Sequence, residues 1–261
     1  MSEPEVALAG GNVNDGVVRV GATVRRRMTP AGPTIHALLL HLERKGFAGS
    51  PRFRGIDPQG REILTFLAGE TGIPPAIWAH DEPLIAAATL LRQYHDATVD
   101  FVPPPAATWA NADPDPRRHE VICHHDFAPY NMIFRDGCPY AVIDFDLAGP
   151  GPRLRDVAYA VYWMTPLSVN SADQAPFAEA DLAQGSRRCR LFCATYGIPI
   201  TPALFDMIAD VLAYMGDAAA VAKAVGAAAA EKLEREGHLA HWQREARAFA
   251  RIRARLATNL L

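Results

Sequence analysis

The first seventy residues alternate short apolar runs with turn residues, a pattern typical of β-strands. Five such runs cover residues 6–8, 17–20, 23–26, 51–56 and 62–67. Glycine, asparagine and aspartate are concentrated at residues 10–16, so the first two runs are predicted to form a hairpin. Residues 57–60, Asp-Pro-Gln-Gly, predict a turn between the last two runs.

Between the third and fourth runs, apolar residues recur at the spacing of a helix. Ile35, Leu38 and Leu42 would share one face of it. Thr34 is the expected N-cap, and Gly46 is expected to end the helix. The predicted order is ββ(β)αββ, a small β-rich unit with one helix.

The character of the chain changes after residue 70. Residues 83–97 carry the spacing of an amphipathic helix, residues 121–147 return to strand-like runs, and the pattern beyond residue 155 is almost entirely helical. We therefore predict an α+β fold with two lobes, a small β-rich N-lobe with one helix at residues 1–68 and a larger, mostly helical C-lobe at residues 69–261.

Composition and charge describe an ordinary globular protein. Of the 261 residues, 49% are hydrophobic and 21% are charged, and the formal net charge is −3, which excludes disorder for the bulk of the chain. No apolar run is long enough for a membrane span, and the acidic N-terminus does not resemble a signal peptide, so a cytoplasmic location is expected. With a pI near 6.3 and no long basic run, nucleic-acid binding is not expected. The four cysteines are expected to be free thiols.

The densest group of reactive side chains lies between apolar runs at residues 121–147. His124, Asp126 and Asn131 fit the pattern H-x-D-x-x-x-x-N, and Asp144 follows an apolar run, with Asp146 two residues later. Polar residues on short loops between buried strands are often functional. Phosphoryl transfer needs a carboxylate near the acceptor hydroxyl and oxygen ligands for Mg²⁺, roles that suit Asp126 on one side and Asn131 and Asp144 on the other.

With these motifs the sequence resembles the protein-kinase-like phosphotransferases, most closely the aminoglycoside phosphotransferase family, which includes choline kinases. The resemblance implies a bilobal kinase-like fold and transfer of the γ-phosphate of ATP or GTP, with Mg²⁺, to a hydroxyl of a small molecule. It implies that Asp126 is catalytic, that His124 braces its loop, and that Asn131 and Asp144 hold metal. Asp146 is expected either to contact a second Mg²⁺ as a further metal ligand or to form a structural hydrogen bond or ion pair. It also implies that Asp156 supports the catalytic loop, although capping of a helix would account for Asp156 equally well.

The nucleotide-binding part of the resemblance is less complete. Kinases hold the α- and β-phosphates with a lysine on the third strand, but no lysine precedes Lys45. Arg25 is the predicted substitute, with Arg26 as the alternative, because strand alternation lets only one of them face the nucleotide. Glu43, near the helix end, is a poor match for the glutamate that normally pairs with this cation, so its replacement stays open.

Further nucleotide contacts are expected from the turn and strand ends of the N-lobe. Gly10 and Gly11 would lie over the phosphates, and backbone groups of Thr65, Phe66 and Leu67 would contact the base. The glycine pair by itself is a weak signal.

Two other classes of function compete with this prediction. The missing lysine and glutamate suggest a degenerate kinase-like protein that binds nucleotide or metabolite without turnover. A metal-dependent hydrolase is the other, with a transition metal held by His124, His125, Asp126, Asp144 and Asp146. The acceptor and the oligomeric state are not encoded in any motif. Residues 151–261 carry slightly more basic than acidic residues, so a polycationic aminoglycoside is not the expected acceptor.

Overall fold

An antiparallel sheet of five strands is built from the first part of the chain. The computed structural model describes residues 4–8, 16–74, 76–165, 167 and 182–261. The strands are β1 (Glu5–Ala7), β2 (Val18–Val20), β3 (Thr23–Arg27), β4 (Phe53–Ile56) and β5 (Arg61–Thr65). Their order in the sheet is β1-β2-β3-β5-β4. All five apolar runs therefore become strands of one sheet, and β5 lies between β3 and β4.

The helix between β3 and β4 packs its apolar face into the core. This helix, α1 (Gly32–Arg44), buries Ile35, Leu38 and Leu42, as the spacing predicts. Thr34 is not its cap, because Pro33 starts the helix earlier and the Thr34 hydroxyl accepts a hydrogen bond from the backbone N–H of Thr108. Gly46 ends the helix with a φ of +72°, a backbone conformation that favours glycine.

Helices make up most of the remaining chain. They are α2 (Ala76–Ala79), α3 (Glu82–Thr98), α4 (Arg153–Met164), α5 (Leu182–Tyr196), α6 (Pro202–Met215), α7 (Ala218–Val225), α8 (Ala227–Arg235) and α9 (His238–Leu260). Among the described residues, no helix is both long enough and apolar enough to cross a membrane. The four cysteines are free thiols, as expected. The predicted α+β class, with a β-sheet lobe and a helical portion, is confirmed.

Two short ribbons lie between the sheet lobe and the helices, and they position the motif residues. The ribbon strands are β6 (Val121–Cys123), β7 (Met132–Arg135), β8 (Cys138–Val142) and β9 (Gly149–Gly151). β6 pairs with β9, and β7 pairs with β8. Because of this pairing, the segment that joins β6 to β7 lies beside the segment that joins β8 to β9.

Candidate active site

The two segments between the ribbon strands form the candidate site. We call residues 124–131 the catalytic loop and residues 143–148 the second loop. The backbone N–H of Ile143 donates to the carbonyl of Asn131 at 2.8 Å, and the Nε2 atom of His124 lies 3.0 Å from the carbonyl of Ile143. These bonds hold together two loops whose motif residues are far apart in sequence.

His124 lies fully buried at the start of the catalytic loop. Its Nδ1 accepts a hydrogen bond from the backbone N–H of Asp126, so Nε2 carries the proton that is donated to Ile143. Burial lowers the pKa of His124 to about 4, which keeps the ring neutral near pH 7. The structure thus places His124 as a brace between the loops. Because both ring nitrogens are used within the protein, His124 is a poor candidate for a transition-metal ligand.

Asp156 anchors the catalytic loop from behind. Its buried carboxylate accepts hydrogen bonds from the backbone N–H groups of His124, at 2.6 Å, and His125, at 2.9 Å. His95 contacts the same carboxylate at 3.1 Å. Although burial acts in the opposite direction, these interactions hold the pKa of Asp156 well below its usual range. Asp156 does not cap α4, because that helix begins at Arg153.

Asp126 is held at both carboxylate oxygens. The hydroxyl of Tyr130 donates to Oδ1 at 2.5 Å, and the amide of Asn131 donates to Oδ2 at 2.8 Å. Burial raises the pKa of Asp126 to about 6, while the bond from Tyr130 acts in the opposite direction. The carboxylate is therefore fixed in orientation and is a stronger base than an ordinary aspartate, as a group that accepts a proton near neutral pH requires.

Asn131 and Asp144 offer the oxygen ligands that Mg²⁺ prefers. The Asn131 Nδ2 donates to both the carboxylate and the backbone carbonyl of Asp126, which leaves the amide oxygen as the atom available to a cation. Asp144 follows Ile143 in the second loop, has a φ of +65°, and has a side chain that is 42% exposed. Its pKa is raised, first because the surrounding protein removes water from the carboxylate and then because the charge of Asp146 is close by. This donor set fits the predicted metal.

A buried arginine connects the sheet lobe to the second loop. Arg26, on β3, pairs with Glu62 at 2.6 Å and with Asp144 at 3.1 Å. It also binds both oxygens of Asp146, at 2.6 and 3.1 Å. Only 9% of Arg26 and 2% of Glu62 are exposed. Although burial opposes it, the three carboxylates raise the pKa of Arg26, so its charge is maintained.

The structure selects Arg26 rather than Arg25 as the cation at the site. In β3, Arg26 lies directly opposite Glu62 of β5, and strand alternation turns the neighbouring side chains to the other face. Arg25 instead donates to the hydroxyl of Thr23 and lies 3.9 Å from Asp57. The prediction that Arg25 faces the site is corrected for this reason.

Glu62 is the carboxylate that pairs with Arg26, in place of a glutamate from the helix. It comes from β5, and its second oxygen lies 2.7 Å from the Nε2 of His36 on α1. The ring of His36 in turn stacks on Phe53, with centroids 3.8 Å apart. The usual strand-to-helix ion pair is thus replaced by an Arg26–Glu62–His36 network. The role of Glu62 cannot be recognised from the sequence, because the register of two strands separated by a helix is not visible there.

The remaining predicted nucleotide contacts have mixed outcomes. Gly10 and Gly11 lie outside the described residues. Thr65, Phe66 and Leu67 are half-buried at the end of β5, where the backbone N–H of Phe66 donates to Ala22 and the hydroxyl of Thr65 accepts from Arg52. Nothing in this geometry tests whether they contact a base, and that role stays a prediction.

Three residues beside Asp126 were not assigned roles by sequence analysis. Tyr130 contacts the hydroxyl of Tyr159 at 2.8 Å, and Tyr159 lies on α4 one turn after Arg155. Arg155 places its guanidinium carbon 5.9 Å from the centre of the Tyr159 ring. Arg155 and Tyr159 are one turn apart on α4, but their proximity to Tyr130 of the catalytic loop depends on how the helix packs and is not visible in the sequence.

Comparison with known proteins agrees with this architecture. Residues 78–192 match the model of the phosphotransferase enzyme family. A trifolitoxin immunity protein of Rhizobium leguminosarum bv. trifolii is 38% identical over 151 residues, which cover 56% of this chain and 56% of that protein. The match thus spans about half the length of this curated relative.

Solved structures share the fold over nearly the whole chain. An aminoglycoside phosphotransferase from Alicyclobacillus acidocaldarius superimposes with a TM-score of 0.57 and 18% identity, covering 99% of this chain and 92% of that one. APH(2")-IIa in its ternary complex with streptomycin and ATP gives a TM-score of 0.55 and 13% identity, covering 95% and 93%. At these identities the likeness shows the fold. The resemblance to aminoglycoside phosphotransferases and choline kinases is confirmed.

Proposed function

We propose that this protein is a Mg²⁺-dependent phosphotransferase that moves the γ-phosphate of ATP or GTP to a hydroxyl of a small molecule. The observation that carries the proposal is the construction of the catalytic loop. Asp126 is held at both oxygens and has its pKa raised to about 6, and its amide partner Asn131 lies on the loop that touches the start of the second loop. A match of residues 78–192 to a phosphotransferase family supports the same chemistry.

Each residue of the candidate site has a defined task in this proposal. Asp126 orients the acceptor hydroxyl and takes its proton, Asn131 and Asp144 hold the metal, and Asp146 is the further metal ligand expected from the resemblance. The Mg²⁺–nucleotide complex supplies the phosphoryl group and neutralises its charge when bound. Arg26 places a permanent positive charge at the same carboxylates, where a guanidinium fork also suits phosphate oxygens.

A binding protein without turnover is the second candidate, and one observation favours it. Arg26 already bridges Asp144 and Asp146, the carboxylates expected to hold metal. A protein in which this ion pair persists would bind nucleotide poorly in the metal-bound form and would transfer no phosphate.

The Rhizobium relative widens the range of acceptors worth testing. That protein is described as providing immunity to trifolitoxin. A toxin with a free hydroxyl therefore belongs in the acceptor screen beside metabolites.

The decisive experiment is a phosphate-transfer screen with the purified full chain. ATP or GTP and Mg²⁺ are supplied with amino sugars, amino alcohols, sugars and hydroxy acids, and transfer is followed with radiolabelled γ-phosphate. Wild-type protein should phosphorylate a member of the panel, and Asp126→Asn should not. Nucleotide binding that does not depend on Mg²⁺, without transfer to any member, would support the binding protein instead.

A further inference from the structure

Arg155 is a half-buried cation beside the candidate base, and it is not needed for the chemistry derived above. Its Nη1 atom is buried and has no hydrogen-bond partner, and no carboxylate of the described chain forms an ion pair with it. A buried guanidinium nitrogen without a partner is costly, because the desolvation of a charged group is repaid only by a partner.

The position of Arg155 ties it to the place where an acceptor would lie. Its guanidinium lies against the ring of Tyr159, whose hydroxyl contacts Tyr130, and Tyr130 in turn donates to Asp126. The charge of Arg155 is felt at Asp126 and at His125, whose pKa values it lowers. Arg155 is thus separated from the base by a pair of tyrosines.

His125, next to the candidate base, adds no charge that could pair with an anion. Its Nε2 atom is buried without a well-formed hydrogen bond, and its ring lies against the backbone of Gly149 in β9. Burial, and then the charge of Arg155, lower the pKa of His125 to about 3, so the ring is neutral near pH 7. Arg155, with a buried nitrogen that lacks a partner, is therefore the cation that an anionic ligand would meet here.

We propose that Arg155 is the specificity residue for the acceptor, which carries an anionic group, a carboxylate or a phosphate, that pairs with the guanidinium while its hydroxyl lies at Asp126. A planar guanidinium fork matches both anions, and such charge-assisted bonds are strong where water is excluded. The proposal rests on the proposed function, because it takes Asp126 as the group that receives the acceptor. It also disfavours polycationic aminoglycosides, whose ammonium groups would be repelled.

The test uses pairs of compounds that share a hydroxyl and differ in charge. Glycerol is compared with glycerate and with glycerol 3-phosphate, and ethanolamine with serine. Binding to the full chain is measured by calorimetry with Mg²⁺ and a non-hydrolysable ATP analogue present. In at least one pair, the member that carries a carboxylate or phosphate should bind the wild-type protein, and Arg155→Met should weaken that binding by about tenfold or more. The glycerate and glycerol 3-phosphate arms distinguish a carboxylate from a phosphate.

Stability and nucleotide binding provide the controls. Arg155→Met should unfold at the same temperature as wild type or higher, because an uncompensated enclosed charge is removed. Arg155→Lys should bind the anionic member with intermediate affinity, and Arg251→Met, at an exposed arginine of α9, should behave as wild type. Nucleotide affinity should be the same in all variants.

Three results would overturn the proposal. They are equal binding of neutral and anionic members, equal binding by wild type and Arg155→Met, and a loss of nucleotide affinity in Arg155→Met, which would assign the arginine to the nucleotide. Each is read from binding, so it stands apart from failure of phosphate transfer, which would instead overturn the proposed function.

Discussion

At the scale of single residues, the environment of Asp126 differs from that of the other aspartates of the site. Asp126 is held by two uncharged donors, whereas Asp144 and Asp146 are held by the cation Arg26. Burial raises the pKa of Asp126, whereas at Asp144 the charge of Arg26 opposes the rise that burial and the charge of Asp146 cause. The three carboxylates are therefore suited to different tasks, although they are the same residue type.

Asp126→Asn should remove most turnover and leave nucleotide affinity nearly unchanged. The asparagine keeps the size of the side chain but lacks a basic oxygen, and loss of a positioned base costs on the order of a hundredfold or more in rate. Steady-state transfer to the acceptor found in the screen measures the effect. Asp136→Asn is the matched control, because Asp136 is an exposed turn residue with a φ of +52° that asparagine also tolerates. Activity of Asp126→Asn within a few-fold of wild type would show that Asp126 is not the base.

Asp144→Asn should weaken binding of the Mg²⁺–nucleotide complex by about tenfold or more and leave metal-free nucleotide binding nearly unchanged. The substitution removes one anionic oxygen, and the base contacts expected near Thr65 are untouched. Calorimetry with and without Mg²⁺ separates the two effects. Asp146→Asn, measured in parallel, tests whether Asp146 binds metal or serves only Arg26. Equal losses with and without Mg²⁺ would argue against Asp144 as a ligand.

At the scale of elements, the pairing of β3 with β5 determines the charge of the site. Arg26 and Glu62 are opposite each other in this register, and His36 of α1 completes the network. A slip of one residue would turn Arg26 to the other face of the sheet. The network therefore joins the sheet, the helix and the second loop.

Glu62→Gln should lower the free energy of unfolding by about 3 kcal/mol, because it removes one member of a buried ion pair. The remaining bonds of Arg26 to Asp144 and Asp146 keep the loss from being larger. Urea denaturation gives the value. Glu43→Gln is the comparison, since Glu43 forms an exposed pair with Arg54 and its loss should stay within about 1 kcal/mol. Losses of the same size in both variants would contradict the structural role of the buried pair.

At the scale of the whole molecule, two histidines of the catalytic loop, the buried His124 and the half-buried His125, link stability to pH. The pKa of His124 is about 4 and that of His125 about 3 in the folded protein, below the ordinary 6.5. Between pH 6.5 and these lower pKa values, the two histidines bind protons in the unfolded chain but not in the folded protein. The free energy of unfolding therefore falls as the pH falls below about 6.5. The raised pKa of Asp126 acts in the opposite direction between about 4 and 6.

His125→Asn should reduce the slope of the free energy of unfolding against pH by about 1 kcal/mol per pH unit between pH 6.5 and 4. The substitution removes one titrating ring, and asparagine tolerates the φ of +65° at this position. Urea denaturation at a series of pH values measures the effect. The contribution of Asp126 is present in both proteins and cancels in the difference, and the two curves should run parallel above pH 7. Parallel curves at all pH values would show that the ring is protonated equally in both states.

Local patterns in the sequence were sufficient for the secondary structure and for the loop residues. The five strands and α1 follow from the spacing of apolar residues, which is a property of neighbouring positions. His124, Asp126 and Asn131 were found for the same reason, because they lie within eight consecutive residues of one loop.

Contacts between distant elements were decided only by the tertiary structure. The choice of Arg26 over Arg25 depends on the register between β3 and β5, and the replacement of a helical glutamate by Glu62 depends on the same register. Thr34 had the chemistry of a helix cap, but Pro33 and the bond to Thr108 placed it inside the helix. The partnerless guanidinium of Arg155 is defined by the groups around it. The sequence alone determined which residues could do chemistry, because that depends on residue type and local spacing. Packing of distant segments decided which of them face the cleft and with what charge, since strand register and burial are properties of the assembled chain.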